Sequence, residues 1–288
     1  MTVDRQEIEA KLGVSVRQIQ GTAGGDINQA HRLTLEDGRA VFMKTHASGP
    51  TGMFPAEAQG LRWLADAQVI RVPEVLGCSD GVDGRDGFLL LEWIELGRPA
   101  SGFDEDLGRQ LAALHRSGAP GFGGCADNFI GYLPQSNTTC PNWAKFYGTQ
   151  RLEPQIRRAV DSGRMSSSAL GPARRLLERL PELVGPEEAP SRLHGDLWGG
   201  NHGADASGAP LIFDPAVYGG HREMDLAMMR LFGGYSRRCF DAYDEAFPLE
   251  PGHQDRMSLF QLYPVLVHVN LFGGGYCSQA RAIIENYK

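Results

Sequence analysis

The stretch His194-Gly195-Asp196-Leu197-Trp198-Gly199-Gly200-Asn201 carries the pattern H-x-D-x-x-x-x-N. Phosphoryl transfer from ATP to a hydroxyl requires an Asp that orients the hydroxyl and takes its proton. It also requires an Asn on the same loop that holds a magnesium ion, and this spacing supplies both. Read alone, the stretch equally describes a polar loop in which Asp196 caps a helix. Asp214 separates the two readings. It closes the apolar run Leu211-Ile212-Phe213, where a kinase needs a second acidic ligand bridging magnesium to the nucleotide phosphates. The tripeptide there is Asp214-Pro215-Ala216, not the Asp-Phe-Gly of protein kinases.

Upstream, the remaining parts of such a site occur in order. Lys44 ends a strand-like run after Val41-Phe42-Met43, where an ammonium would reach the α and β phosphates, and Glu57 opens a helical pattern from which it would hold that ammonium. Gly21 to Asp26, with Gly24 and Gly25 at its centre, is a glycine-rich turn whose backbone N–H groups would cover phosphates. It lacks the G-x-x-x-x-G-K-[ST] spacing, which excludes a Walker-type site. Each part has an ordinary structural reading, as a solvated lysine, a first-turn glutamate or a hairpin glycine. Their joint order points to an ATP-dependent phosphotransferase.

Composition bounds the rest. The chain has 288 residues, 42% hydrophobic and 22% charged, enough for one large domain or two lobes. With 28 Lys+Arg against 35 Asp+Glu the net charge is −7, which argues against a nucleic-acid partner or an anionic membrane. No apolar run reaches the roughly 18 residues of a spanning helix, and no signal-peptide core comes after Met1. Cys78, Cys125, Cys140, Cys239 and Cys277 form no C-x-x-C pair, so a zinc ribbon or disulfide scaffold is not expected. These features predict a cytoplasmic protein without membrane or nucleic-acid partners. They leave monomer and homodimer open.

Residues 1–95 read as β-rich with one helix over Pro55 to Ala67 and a last strand Gly87 to Ile94. Residues 96–288 read as mainly helical, with helices over Glu105 to Ser117, Trp143 to Val160 and Ala169 to Val184, and from Glu223 onward. Two short apolar strands, Ser191 to His194 and Pro210 to Asp214, flank the catalytic segment. The expected architecture is therefore a small β-rich nucleotide lobe, a hinge strand and a larger helical lobe for catalysis and acceptor binding.

Longer strings narrow the reading. The segment from His194 to Asn201, then Phe213-Asp214-Pro215-Ala216-Val217-Tyr218-Gly219-Gly220-His221-Arg222-Glu223-Met224-Asp225, resembles the fructosamine kinase (ketosamine-3-kinase) family of aminoglycoside phosphotransferase-like kinases. So do Asn142-Trp143-Ala144-Lys145-Phe146-Tyr147 with Gln150-Arg151-Leu152, His268 to Gly274, and Gly24-Gly25-Asp26-Ile27-Asn28. The resemblance implies a two-lobed, protein-kinase-like α+β fold with ATP in the interlobe cleft and adenine bonded to the backbone of Glu92, Trp93 and Ile94. It implies Asp196 as base, Asn201 and Asp214 as Mg²⁺ ligands, and a small-molecule or protein-bound ketosamine as acceptor. The phosphorylated sugar is then shed, which amounts to deglycation. Some relatives carry a redox cysteine in the glycine loop, and none lies between Gly21 and Gln29 here.

Two other classes compete with this reading. One is a kinase of the same fold acting on another alcohol, such as an aminoglycoside, choline or homoserine. The other is a nucleotide-binding module without turnover, which the intact Lys44, Asp196, Asn201 and Asp214 disfavour. Trp198, flanked by the base and two glycines, is expected to stack on a sugar face. The resemblance places Trp143 and Tyr147 near the acceptor, although with Phe146 they also fit one apolar helix face. His268, in an apolar run, is the fourth substrate candidate. Asp225 is expected to brace the catalytic loop or cap a helix rather than react, and His194 to support the loop by hydrogen bonds without serving as the base.

Overall fold

Apolar residues alternate along the first hundred positions, and the alternation builds a sheet with two covered faces. The computed structural model describes residues 3–22, 28–47, 49–81 and 85–287; Gly24 and Gly25 lie outside them. Strands β1 (Val16–Thr22), β2 (Gln29–Leu35), β3 (Ala40–His46), β4 (Val75–Ser79) and β5 (Gly87–Glu92) form one antiparallel sheet in the order β1-β2-β3-β5-β4. On one face Leu33, Leu35, Val41, Met43, Phe88 and Leu90 pack around Ile8 of helix α1 (Arg5–Leu12). On the other, Leu89 and Leu91 meet Phe54, Ala58 and Leu61 of helix α2 (Met53–Ala65). The period of two puts Lys44, paired with Leu89 of β5, on this second face, toward α2 and Glu57.

Helix α1 is absent from the sequence reading. A single residue, Ile8, anchors it in the core, so it shows no apolar stripe. Its signal lies in its ends. Asp4 accepts from the backbone N–H groups of Gln6 and Glu7 at 3.0 and 3.3 Å, and Gly13 closes the helix in the left-handed region at φ 68.

The rest of the chain is mainly helical, with short strand pairs set among the helices. In order come α3 (Phe103–Arg116), the hairpin β6 (Asn128–Ile130) and β7 (Leu133–Gln135), α4 (Trp143–Phe146), a π-helical turn (Tyr147–Leu152), α5 (Glu153–Asp161) and α6 (Leu170–Leu183). Then come β8 (Ser191–Leu193), β9 (His202–Ala204), β10 (Pro210–Ile212), β11 (Tyr218–Gly220), α7 (Glu223–Phe232), α8 (Arg237–Ala246), α9 (His253–Phe272) and α10 (Gly275–Tyr287). Strand β9 pairs with β10, and β8 with β11, all antiparallel. Helix α9 is apolar around most of its circumference, as a central helix must be, and α5, α7 and α10 pack on it. Leu96 pairs with Asp205 and Arg71 with Leu211, joining the sheet to the helical part, and Arg71 donates to the Asp205 carboxylate at 2.7 Å. No helix among the described residues is long and apolar enough to cross a membrane.

The single helix expected over Trp143 to Val160 is interrupted by the π-helical turn. This region also corrects two substrate expectations. Trp143 and Tyr147 are 2% and 0% exposed. Their rings stack at 5.2 Å in a core shared with Phe122, Phe146 and Phe260, and the Tyr147 hydroxyl donates to the Leu259 carbonyl at 2.6 Å. They hold the helical part together, and neither lines a cavity that reaches Asp196. Trp143→Ala should therefore cost about 3–5 kcal/mol of stability, as other buried aromatic truncations do, with little change in KM for either substrate of the folded enzyme. Urea unfolding and steady-state kinetics on the same preparation check both halves. A stable variant with a raised acceptor KM would return the ring to the site.

Candidate active site

The segment His194–Asn201 leaves β8 and turns sharply at Gly195, whose φ is 82. A Cβ there would stand 2.0 Å from the Ala216 carbonyl oxygen, so the turn requires glycine. Asp225, in the first turn of α7, clamps this corner of the catalytic loop. Its carboxylate accepts from the backbone N–H groups of His194 and Gly195 at 2.8 and 2.9 Å, and from His115 Nε2 at 3.2 Å; His115 Nδ1 lies 2.7 Å from the Tyr243 hydroxyl. Burial alone would raise the Asp225 pKa, but His115 and the amide donor of Gly195 reverse the shift and hold it below the ordinary carboxylate value. Burial pushes the His194 imidazole below its usual pKa, which keeps it neutral. Its Nε2–H then donates to the Phe213 carbonyl at 2.9 Å and its Nδ1 accepts the Asp196 amide at 3.3 Å. Both nitrogens are committed, so His194 supports the loop and Asp196 remains the candidate base.

Asp196 sits beside the two candidate metal ligands, Asn201 and Asp214. Its pKa is raised to about 7, first by burial and then by the negative charge of Asp214, while a hydrogen bond from Asn201 opposes the shift. The Asn201 amide Nδ2 donates to the Asp196 carbonyl at 2.8 Å, to Asp196 Oδ2 at 3.2 Å and to the Asp214 carbonyl at 3.4 Å. Three oxygens around one nitrogen set the orientation of the amide and leave Oδ1 at its other end. Asp214 adopts the left-handed region at φ 58, rare for a residue with a side chain. Lys44, 6% exposed, bridges Asp214 Oδ1 at 2.5 Å and Glu57 Oε1 at 2.6 Å. Burial would pull its ammonium down, but the two carboxylates hold it above the ordinary lysine value.

The donor set suits magnesium. Asn201 Oδ1 and the Asp214 carboxylate are hard oxygen ligands, and Mg²⁺ is usually held by one or two such groups with phosphate and water oxygens completing its octahedron. Among the described residues no group of three His, Cys, Asp or Glu forms a self-sufficient metal cage.

Three cavities meet at these residues. The largest, about 550 Å³, is lined by the hinge residues Glu92, Trp93 and Ile94, by Phe42, Leu91, Leu211 and Phe213, and by Lys44, Asn201 and Asp214. Its apolar walls and hinge backbone suit a planar base, and its polar end suits phosphates. Trp93 is held from outside, with the Arg32 guanidinium 4.7 Å from its ring centre and its Nε1–H donated to Glu95 at 2.6 Å. Two smaller cavities, of about 90 and 20 Å³, both reach Asp196. The first is lined by Lys44, Glu57, Asp214, Asn28 and Asn128, and the second by Gly195, Tyr218, Tyr263 and His268. His268 Nδ1 lies 2.8 Å from the Pro264 carbonyl, and the rings of Phe232, Phe272 and Tyr276 surround the imidazole.

Trp198 departs from expectation. Its indole, 38% exposed, folds back over Gly200, where a Cβ would lie 2.3 Å from the ring, and it lines the large hinge cavity rather than either cavity at Asp196. The structure thus brings together Lys44, Glu57, Asp196, Asn201, Asp214 and the hinge, adds His268 at the second small cavity, and leaves Trp143 and Tyr147 in the core. The β6–β7 hairpin, whose Asn128, Phe129 and Ile130 help wall the Asp196 cavities, is absent from the sequence reading. Its strands of three residues are too short to show alternation.

Comparison with known proteins shows the family. The family model for fructosamine kinase matches residues 2–288. The probable ketoamine kinase of Enterococcus faecium is 42% identical over 286 residues, covering 99% of this chain and all of that protein. The ketosamine-3-kinase of Mus musculus is 34% identical, with 97% of this chain and 98% of the relative covered. A crystal structure from Thermobifida fusca, assigned as a fructosamine-3-kinase, superposes with a TM-score of 0.88 at 37% identity, covering 99% of this chain and 98% of the other. An aminoglycoside phosphotransferase shares the fold alone, with a TM-score of 0.61 at 14% identity over 98% of this chain and 99% of its own. The chain belongs to the fructosamine kinase family.

Proposed function

We propose that the protein transfers the γ-phosphoryl group of Mg-ATP to a sugar hydroxyl of a ketosamine, with residues 1–95 as the nucleotide lobe and 96–288 as the catalytic and acceptor lobe. The observation that carries this reading is the position of Asp196. Its carboxyl reaches the two small cavities, while Asn201 and Asp214 beside it face the large cavity under the hinge. A base placed between a nucleotide slot and a second opening is the arrangement that in-line transfer to a bound alcohol needs.

The chain's own groups then have definite tasks. The backbone of Glu92, Trp93 and Ile94 receives the adenine, and Lys44, kept charged by Glu57, meets the phosphates. Asn201 Oδ1 and the Asp214 carboxylate would hold magnesium, which when bound neutralises charge on the phosphoryl oxygens. The ionised Asp196 accepts the proton of the acceptor hydroxyl as that oxygen bonds to the γ-phosphorus and the bond to ADP breaks. His268, half-buried beside the cavity that reaches Asp196, is the substrate contact we assign on the acceptor side. The names of curated relatives support the acceptor class. They include ketosamine-3-kinase and, at 37% identity over 273 residues, the chloroplastic protein-ribulosamine 3-kinase of Oryza sativa. Five free cysteines suit the reducing cytoplasm we assign.

The test is turnover of a fructosyl- or ribulosyl-amine beside an aminoglycoside at equal concentration with Mg-ATP. Faster phosphorylation of the ketosamine is expected. Preference for the aminoglycoside, or phosphorylation of neither, would overturn the acceptor assignment.

A further inference from the structure

The string Gln150-Arg151-Leu152 plays no part in the chemistry above, yet it holds the least ordinary charge in the molecule. Arg151 is 0% exposed. A guanidinium taken out of water is normally matched by a carboxylate, because desolvating a charge is costly. Among the described residues none of its partners is acidic. Its Nη1 donates to the carbonyls of Ser136 at 2.6 Å and Gln150 at 3.2 Å, its Nη2 donates to Asn137 Oδ1 at 2.7 Å, and its Nε has no hydrogen bond. Aromatic faces supply the remaining contacts. The guanidinium carbon lies 4.0 Å from the ring centre of Tyr218, 4.5 Å from Phe146 and 5.5 Å from Tyr263. Arg151 belongs to the π-helical turn, a form of helix found disproportionately at functional sites.

Three of these contacts, those to Tyr218, Tyr263 and Asn137, lead toward the reacting groups. Tyr218 and Tyr263 wall the small cavity that reaches Asp196, and Tyr218 Cε1 lies 3.1 Å from where a Gly195 Cβ would stand. Asn137, held by Arg151, donates its Nδ2 to the Val217 carbonyl at 3.3 Å, three residues beyond Asp214. Packing alone gives no reason for a charge here, since apolar side chains of similar volume replace buried ions at little cost or with a gain. The planar fork of an arginine does what an apolar residue or a lysine cannot. It serves three oxygens and stacks on aromatic rings at once.

We propose that Arg151 is a positioning residue for phosphoryl transfer: its guanidinium holds Tyr218 against the catalytic loop and, through Asn137, holds the segment after Asp214, so that base and acceptor keep their alignment. The proposal rests on the kinase reading given above. Displacing reacting groups by about an ångström can cost a hundredfold in rate.

Three variants test it: Arg151→Met, Arg151→Lys and Asn137→Asp, the last keeping an acceptor for Arg151 while removing the donor to the Val217 and Ala126 carbonyls. Per active site counted by nucleotide titration, kcat should fall about a hundredfold in Arg151→Met and about tenfold in the other two. KM for ATP should stay within about twofold. Hydrogen exchange adds a readout that needs no acceptor. Protection at Gly195–Asp196 and Ala216–Tyr218 should fall in Arg151→Met while the β1–β5 sheet stays protected. If the wild type phosphorylates no ketosamine, the functional reading fails and the exchange data alone decide the role of Arg151. A wild-type kcat per active site, or a loss of protection spread evenly over the molecule, would overturn the proposal whatever happens to the melting temperature. Should Arg151→Met fail to fold, the other two variants carry the same kinetic comparison.

Discussion

Asp196→Asn is expected to retain ATP binding and lose phosphotransfer by roughly two to four decades, the scale of removing a general base. The substituted side chain keeps the shape of the original and its place beside Asn201, so the nucleotide cavity is left intact. What disappears is the group that accepts the hydroxyl proton. The pH profile provides a second check. Burial and the Asp214 charge raise the Asp196 pKa to about 7, so the base form is lost as pH falls through that value. The wild-type rate in the acceptor reaction should therefore climb with pH, the limb lying below that value once magnesium offsets the Asp214 charge, and the residual rate of the variant should lack it. Calorimetric titration with ATP and a pH series of kcat/KM decide the matter. Near wild-type turnover in the variant would remove Asp196 from the role of base.

Asp214→Ala is expected to be the more damaging substitution for nucleotide handling. It should abolish measurable turnover, a loss on the order of a thousandfold or more, because charge developing on the phosphoryl oxygens loses its bridging cation. It should also weaken nucleotide binding in the presence of Mg²⁺ far more than in its absence. Lys44 would keep Glu57 as its carboxylate partner, so the sheet and α2 should hold their places. Titration of ATP with and without Mg²⁺ separates lost metal binding from a general collapse of the cleft. Full activity at low Mg²⁺ would contradict the assignment of Asp214.

How much of this was readable in the sequence depended on how locally each feature is encoded. The segment from His194 to Asn201 is one loop whose chemistry fixes residue type and spacing together, so it could be read directly. Lys44, Glu57 and Asp214 were readable because each sits at the end or start of an element whose hydrophobic period is visible. The sheet, the hinge strand, α3 and α6 were legible for the same reason, to within a few residues at their ends. Helix α1 escaped because its core anchoring rests on Ile8 alone, and β6, β7 and β11 because three residues are too few to show alternation; β8 and β10, equally short, were read from the catalytic segment they flank.

Side-chain placement was less accessible. Trp143 and Tyr147 belong to a string typical of the family, and nothing in that string says which way a helix face turns once a π-helical turn intervenes. Trp198 was assigned a sugar because of its neighbours, whereas its position is set by the fold-back over Gly200. That Asp225 braces the catalytic loop was expected, but its partner beyond the loop left no sign: His115 is 110 residues away in sequence, and Tyr243 lies 128 residues from His115. Contacts between buried polar groups so far apart leave no periodic trace.

The grip of Asp225 on two successive amides has a thermodynamic consequence. The loop bearing the base is tied to α7 by a carboxylate that is itself hydrogen-bonded to His115 and shielded from water, so its geometry does not wait for a ligand to define it. An active-site loop that must be ordered on binding consumes part of the free energy its ligands release. Here the ordering is completed when the chain folds, and its conformational entropy is surrendered once, during folding. Nucleotide and acceptor meet an electrostatic environment that needs little reorganisation as the phosphoryl group moves, the condition under which fixed dipoles and charges lower a barrier most.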